Sequence, residues 1–154
     1  MSQVVPDPWP RVLNLTPHAL HVYYYDPPIQ PFIIASDGEL RLKSYVPATP
    51  PGTLLYYRQD GDLEATLPVI PAQVFDGLDT TSPGYKHLHD LTERDAIIVS
   101  MPVAHYLRER TDLTVRIYSP ATGPHSAVRY GDEEPTRKGQ IKGVKALEFH
   151  ERII

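Results

Sequence analysis

The sequence of 154 residues contains no cysteine. Disulfides, cysteine-ligated zinc, thiol nucleophiles and iron–sulfur clusters are therefore excluded, because each of them requires a thiol. The chain also lacks any run of about 18 apolar residues, the length that a membrane-spanning helix needs. Its opening, MSQVVPDPWPR, contains no apolar core of signal-peptide length. These absences predict a soluble cytoplasmic protein.

The common catalytic and phosphate-binding signatures are missing as well. The sequence contains no G-x-S-x-G nucleophile elbow, no H-E-x-x-H zinc motif and no Walker loop. The net charge of -4, from 15 basic and 19 acidic residues, argues against nucleic acid as a partner, since a nucleic-acid footprint is normally a basic stripe. We therefore expect no cofactor, no nucleic-acid partner and no membrane partner, while the oligomeric state stays open.

Proline is the abundant residue, with 17 in the chain, about twice its usual share of roughly 5%. Prolines break helices and confine strands to short lengths, and the ten tyrosines favour half-buried positions in sheets. The fold that we expect is α+β: a mostly antiparallel, twisted sheet or partly open barrel of short strands with one short helix.

The length of the chain predicts one globular domain over residues 11–154. It is preceded by residues 1–10, where three prolines predict an extended N-terminal arm. Residues 72–78 predict a single helical turn. Residues 80–94 form the longest polar connection, and they predict a loop insertion within the domain.

Short strands separated by turn residues fill the first part of the domain. Residues 11–15 and 20–25 predict one β-hairpin, and residues 32–35 and 39–46 predict a second. Near the other end of the chain, Gly143 interrupts the closing strand and predicts a β-bulge.

The strongest pattern lies in residues 95–129. Residues 96–99 form a continuous apolar run, which is typical of a strand covered on both faces. Ser100 then predicts a helix N-cap, and the apolar spacing that follows predicts a helix over residues 101–110. Residues 114–118 alternate like a strand, so this order predicts a right-handed crossover between parallel neighbours, the alternative being a short helix that caps one end of a sheet.

Asn14, Thr16 and His18 are the first candidate binding residues. An amide, a hydroxyl and an imidazole stand here beside a rigid Thr-Pro turn, which is one way to fix polar groups around a ligand. The alternative is turn chemistry, in which Asn14 and Thr16 satisfy nearby backbone groups and His18 is merely exposed.

A second group of candidates follows the strand at 114–118. Ser119, Thr122 and Gly123 lie in a Pro/Gly loop that leads to Arg129, a possible bidentate partner for phosphate or carboxylate. Ser100, at the start of the predicted helix, would lie at the same edge of a parallel sheet. The alternative is a proline-stiffened turn with Arg129 on the surface.

His87 and His89 have the residue type of metal ligands and are followed by Asp90 and Glu93. On a strand, an H-x-H pair faces one side, as in part of the cupin metal motif. The segment is polar and reads as a loop, so we predict no metal and retain the pair only as weak candidates.

Several short segments together resemble a group of small single-domain proteins of bacteria and phages. The shared segments are N-L-T-P-H at 14–18, I-I-V-S at 97–100, T-G-P at 122–124, V-R at 128–129 and G-Q-I-x-G-V at 139–144. The similarity covers both ends of the chain but not residues 26–94. It implies one domain with these segments in this order, and it implies no activity.

Three functions are compatible with these observations. The preferred one is a protein that binds a small anionic or nucleotide-like molecule, in a pocket built from Asn14, Thr16, His18, Ser100, Ser119, Thr122, Gly123 and Arg129. The second is a hydrolase or lyase with His18 as general acid or base and Arg129 as electrophilic stabiliser, since histidine titrates near neutral pH. The third is a structural or protein-interaction domain.

Overall fold

The computed structural model describes residues 9–24, 30–47, 52–110 and 112–153. The predicted N-terminal arm therefore lies almost wholly outside the described residues. The chain divides into two compact units. Leu42–Gly77 forms one of them, here called the ribbon unit, and the residues on either side form the other, here called the main unit.

The strands of both units are short. In chain order the elements are β1 (Val12–Asn14), β2 (Leu20–Val22), β3 (Phe32–Ile34), β4 (Leu42–Tyr45), β5 (Thr53–Tyr57), β6 (Leu63–Pro68), β7 (Val74–Leu78), a 3-10 helix (Tyr85–Asp90), β8 (Ala96–Ile98), α1 (Met101–Leu107), β9 (Arg116–Pro120), β10 (Ala127–Arg129), β11 (Ile141–Val144) and β12 (Leu147–His150). Among the residues described, neither helix could span a lipid bilayer.

Sheet A of the main unit has the strand order β1-β8-β9-β12. The predicted apolar run forms β8 at its centre, where Ile97 and Ile98 are fully buried. Strand β8 is parallel to both β1 and β9, which confirms the predicted parallel neighbours around a helix. Helix α1 starts after Ser100, as predicted, but ends at Leu107 rather than at residue 110.

Sheet B of the main unit has the order β10-β11-β2-β3. Its strands β11 and β2 are parallel, whereas the two outer pairs are antiparallel. Leu20 and Val144 of this sheet pack in one buried cluster with Ile98 of sheet A. The two sheets thus share a core, and the α+β class with a sheet-rich core is confirmed. The sheets are open and do not close into a barrel.

Gly143 lies where two parts of sheet B come close. A Cβ at this position would be 2.5 Å from the carbonyl oxygen of His21 and 2.5 Å from the ring of Tyr23. The register shift predicted here exists, but Gly143 pairs with Val128 and the extra residue is Lys142. Close approach, rather than the bulge itself, is therefore what requires glycine.

Both predicted N-terminal hairpins are wrong. Strands β1 and β2 belong to different sheets, and β3 pairs with β2 while β4 pairs with β7. Turn residues favour a reversal of the chain but do not select the partner strand, which here is set by packing between the sheets. The helical turn predicted over 72–78 is also wrong, because most of that segment forms β7.

The ribbon unit consists of two two-stranded sheets, β4-β7 and β5-β6. The turn between β5 and β6 is held by the guanidinium of Arg58, whose Nη2 lies 3.2 Å from Asp60 and 2.8 Å from Asp62. The main unit is continuous across the insertion, since the backbone N–H of Asp79 donates to the carbonyl of Arg41 at 2.8 Å. Residues 80–94, predicted as a loop insertion within the domain, contain the 3-10 helix.

Candidate functional site

Asn14 is buried at the end of β1, and its side chain is fully occupied by protein groups. Its Nδ2 donates to the carbonyls of His18 and Ile34, both at 3.0 Å. Its Oδ1 accepts from the backbone N–H of Thr16 at 3.1 Å and from the Thr16 hydroxyl at 2.5 Å. An amide offers two donors and two acceptor lone pairs. All four are used, so Asn14 has none left for a ligand.

The turn around Asn14 is stabilised from both sides. Asp37 accepts from the Asn14 backbone N–H at 2.8 Å through Oδ2. Nε2 of His87 donates to the carbonyl of Asp37 at 3.0 Å. The imidazole of His18 is exposed. These contacts match the turn-chemistry alternative, in which Asn14 and Thr16 order the backbone.

Ser119 lies elsewhere, in β9 of sheet A, where it is fully buried. Its hydroxyl shares a hydrogen bond of 2.6 Å with Nε2 of His150 in β12, and it lies 3.9 Å from the sulfur of Met101 in α1. The ring of His105, also in α1, makes an edge contact with His150 at 5.7 Å. Helix α1 therefore covers a Ser–His pair on sheet A.

A hydroxyl bonded to a neutral imidazole is the arrangement that activates serine nucleophiles. Burial, followed by the charge of His105, lowers the pKa of His150, so the imidazole is held neutral. However, Ser119 exposes no surface to solvent, and a substrate would have no path to its hydroxyl. The pair thus acts as a buried link between β9 and β12. Sequence inspection missed His150 because an isolated histidine on a strand has no distinguishing motif.

The remaining candidates lie on the surface. Ser100 is exposed and makes no capping hydrogen bond with its side chain. Thr122 and Gly123 are exposed in the loop after β9. Arg129 is exposed in sheet B and donates from Nη1 to the carbonyl of Gly139 at 2.7 Å.

The predicted site residues therefore do not share one set of contacts. Asn14, Thr16 and the His18 backbone are joined by hydrogen bonds, while Ser119 bonds to His150 and Arg129 to Gly139.

The hairpin of β10 and β11 contains charged residues of both signs, which are Arg129, Arg137, Lys138, Lys142, Asp132, Glu133 and Glu134. The guanidinium of Arg137 lies 5.5 Å from the ring centre of Tyr130, and Lys142 Nζ lies 5.8 Å from the same centre. Lys142 is also 5.2 Å from the ring of Tyr23. Arg129 belongs to the same hairpin. Lys138 Nζ pairs with Asp132 at 2.7 Å, so the hairpin as a whole is close to neutral.

A cavity of about 260 Å³ lies in the main unit beside the 3-10 helix. It is lined by Leu78, Tyr85, Leu88, His89, Arg110, Asp112 and Leu113. The guanidinium of Arg110 is bound in a two-point ion pair to Asp112, which raises the pKa of Arg110. Of the residues predicted to bind, only the weak metal candidate His89 lines this cavity. No group of three or more potential metal ligands occurs among the residues described.

The surface of the ribbon unit is unusually apolar. None of its described residues is buried, and twelve of its large hydrophobic side chains expose between 37% and 86% of their surface. These are Tyr45, Val46, Leu54, Leu55, Tyr56, Tyr57, Leu63, Leu67, Val69, Ile70, Val74 and Phe75. Exposed apolar patches larger than a few hundred Å² usually mark contacts with other molecules.

Both faces of the β5-β6 ribbon are apolar. Directly opposed residues share a face, so Leu54, Tyr56 and Leu67 lie on one side and Leu55, Tyr57 and Leu63 on the other. A half-buried strand would alternate apolar and polar residues, but Leu-Leu-Tyr-Tyr at 54–57 does not. A continuous apolar run of this length is typical of a strand covered on both faces, and it is the sequence pattern from which this surface could have been predicted.

Comparison with known proteins gives no further guide to this surface. No known protein family, curated protein or solved structure matches the chain. The resemblance to small bacterial and phage proteins therefore stays a prediction.

Proposed function

We propose that the protein is an interaction module and that the ribbon unit is its docking element. The observation that carries this proposal is the exposure of apolar side chains on both faces of the β5-β6 ribbon. An isolated two-stranded ribbon is marginally stable in water. A ribbon that is covered by a protein partner gains the burial that the chain itself does not supply, at roughly 25 cal/mol per Å² of apolar surface.

Charge supports a protein partner rather than a nucleic acid or an anionic membrane. The strands β5 and β6 contain one charged residue, Glu64. The other charges of this hairpin, Arg58, Asp60 and Asp62, pair with one another in the turn. The central surface thus offers no cation for phosphate, but offers the aromatic and aliphatic side chains that are enriched at protein interfaces.

Site-specific photocrosslinking in the producing cells tests the proposal. A photoreactive phenylalanine analogue is placed at Tyr56 on one face of the ribbon and, separately, at Leu55 on the other. The matched control position is Lys86, an exposed residue of the 3-10 helix. We expect covalent protein adducts from both ribbon positions and none from Lys86. No adduct from either ribbon position would overturn the proposal.

A second candidate is the binding of a small anion, the function preferred from the sequence. The observation that favours it is the pair of cations, Arg137 and Lys142, that lie on the ring of Tyr130 in the hairpin of sheet B, with exposed Arg129 in the same hairpin. Thermal shift with inorganic phosphate and small carboxylates tests it, since a ligand at 100 times its Kd adds about 2.7 kcal/mol. A stabilisation that Arg129→Ala and Arg137→Ala remove, and that Lys86→Ala retains, is the expected result. The enzyme alternative built on His18 and Arg129 stays a prediction.

A further inference from the structure

We infer that the partner of the ribbon unit is a second copy of this chain, and that it docks on the outer face of sheet B. This inference rests on the proposed function and specifies its partner. The outer face is the side of sheet B that points away from sheet A, and it includes His21, Ile33 and the bulge residue Lys142.

The exposed area fits a stable protein interface. An aromatic side chain has about 150–250 Å² that can be buried, so each of the twelve half-exposed side chains offers on the order of 100 Å². Together they offer roughly 1,000 Å², spread over both faces. A standard interface buries about 800 Å² on each partner. A single acceptor face covers about half of this area, so the two reciprocal contacts of a two-fold pair are needed to reach the size of a standard interface.

The same chain carries a suitable acceptor. Leu20 and Val144 of sheet B point into the shared core, and side chains alternate along a strand. His21, Ile33 and Gly143 therefore face outward, and Ile33 exposes 56% of its surface there. The ring of Tyr23 packs over Gly143 on this side, but it is itself buried. Ile33 is thus the exposed apolar side chain among the residues named on the outer face.

Charges on the two surfaces are opposite in sign. The only charged residue in strands β5 and β6 is Glu64, the extra residue of a bulge between Leu63 and Ala65. On the acceptor side the strand cation is Lys142, whose Nζ lies 5.2 Å from the ring of Tyr23, whereas Arg129 alternates to the other face of sheet B. Bulges commonly redirect a side chain away from the regular ladder. Complementary charge between docking element and acceptor on one chain favours a second copy over an unrelated protein.

In a two-fold dimer, each such contact is made twice, with the roles of the two chains exchanged. Glu64 of each copy would then face Lys142 of the other. This reciprocity permits a charge-exchange test. Glu64→Lys alone and Lys142→Glu alone place like charges in both contacts, whereas a mixture of the two variants restores opposite charges in both.

Sedimentation velocity on the purified full-length chain measures the outcome. We expect the unmodified protein to self-associate, each single variant to associate at least about tenfold more weakly, and the equimolar mixture to regain association. Glu93→Lys and Lys86→Glu are the matched controls on exposed positions of the main unit, and they should not change association. Circular dichroism melts verify that every variant is folded.

The inference fails if the unmodified protein is monomeric, or if the mixture associates no better than the single variants. Photocrosslinking at Tyr56 separates that failure from failure of the proposed function. Adducts with another protein in place of adducts of twice the chain mass would leave the interaction module intact and reject the second copy. Absence of any adduct would reject both.

Discussion

The side-chain amide of Asn14, at the end of β1 in sheet A, donates a hydrogen bond of 3.0 Å to the carbonyl of Ile34 in β3 of sheet B. One residue thus connects the two sheets through a direct hydrogen bond, in addition to their shared apolar core. Because Asn14 is fully buried, each of its polar atoms must keep its partner, since an unpaired buried donor or acceptor is costly.

Asn14→Asp tests this connection with almost no change in volume. The carboxylate lacks both N–H donors, so it leaves the carbonyls of His18 and Ile34 without a partner and repels them. We expect the free energy of unfolding to fall by about 2–4 kcal/mol, measured by urea denaturation. Thr16→Val, which removes one hydroxyl at a half-buried position, should cost less. Equal losses in the two variants would contradict the assigned role of the Asn14 donors.

Asp95 provides a second buried polar link. Its carboxylate accepts from the backbone N–H of Arg11 at 2.9 Å and of Thr92 at 3.0 Å, and Arg11 Nη2 lies 3.1 Å away. The backbone hydrogen bond from Arg11, followed by that from Thr92, holds the pKa of Asp95 well below its usual range. The unfolded chain therefore takes up a proton before the folded protein does.

Asp95→Asn should destabilise the main unit by about 2–3 kcal/mol, because an amide N–H group then faces these donors. The contribution of Asp95 to stability is present above the ordinary aspartate pKa of about 3.9 and declines as the pH falls below it. Urea denaturation from neutral pH to acid should therefore show a smaller loss in the variant. Asp90→Asn, at an exposed carboxylate that also contacts Arg11, is the control and should change stability little.

His150 is a basic group, and it predicts a loss of stability on acidification that begins near neutral pH. Burial lowers its pKa, so below the ordinary histidine value of about 6.5 the unfolded chain binds a proton that the folded chain does not. Stability should therefore fall as the pH drops from about 7.5 to about 5.5. His105 and Arg108 add positive charge around the ring, and Glu148 adds negative charge.

The His150→Gln variant, which does not titrate, should lose less stability over that interval. His125→Gln, at an exposed histidine that does not contribute to the pKa shift of His150, is the control. Urea midpoints at the two pH values give the comparison. If His150→Gln retained the full pH dependence of the unmodified protein, another group would be responsible.

Gly143→Ala should disrupt sheet B. The added Cβ would meet the His21 carbonyl and the Tyr23 ring at 2.5 Å, closer than any real Cβ contact, and such overpacking costs about 1–3 kcal/mol. Gly123→Ala is the control, since nothing lies within 4 Å of its Cβ position. It should stay within about 0.5 kcal/mol of the unmodified protein. Equal melting temperatures for the two variants would show that Tyr23 moves aside without cost.

The sequence predicted the elements whose cause is local. The apolar run at 96–99 and the Ser-Met-Pro start of α1 specify a buried strand and a helix without help from distant residues. The turn-chemistry alternative for Asn14 and Thr16 also depends on near neighbours. The partner of β1 could not be predicted, because periodicity identifies a strand but not the strand with which it pairs.

The other features that could not be predicted depend on contacts between residues that are far apart in the sequence. Ser119 and His150 are far apart in the sequence and meet only because β9 and β12 are paired. The ribbon unit was not predicted as a separate unit: residues 39–46 were assigned to a hairpin and residues 72–78 to a helical turn. The apolar run Leu-Leu-Tyr-Tyr at 54–57 identifies a strand, but periodicity alone does not say what covers its two faces.

The hydrogen bond between Asp79 and Arg41 has a consequence for how the chain is assembled. Because these residues are adjacent, the backbone leaves and re-enters the main unit at one point, and the 36 residues of Leu42–Gly77 are topologically dispensable for its sheets. A short Gly-containing turn between Arg41 and Leu78 would lower the cost of closing that loop, which grows only slowly with its length. The strands of sheets A and B all lie outside the insert, so a chain in which such a turn replaces Leu42–Gly77 should still form both sheets.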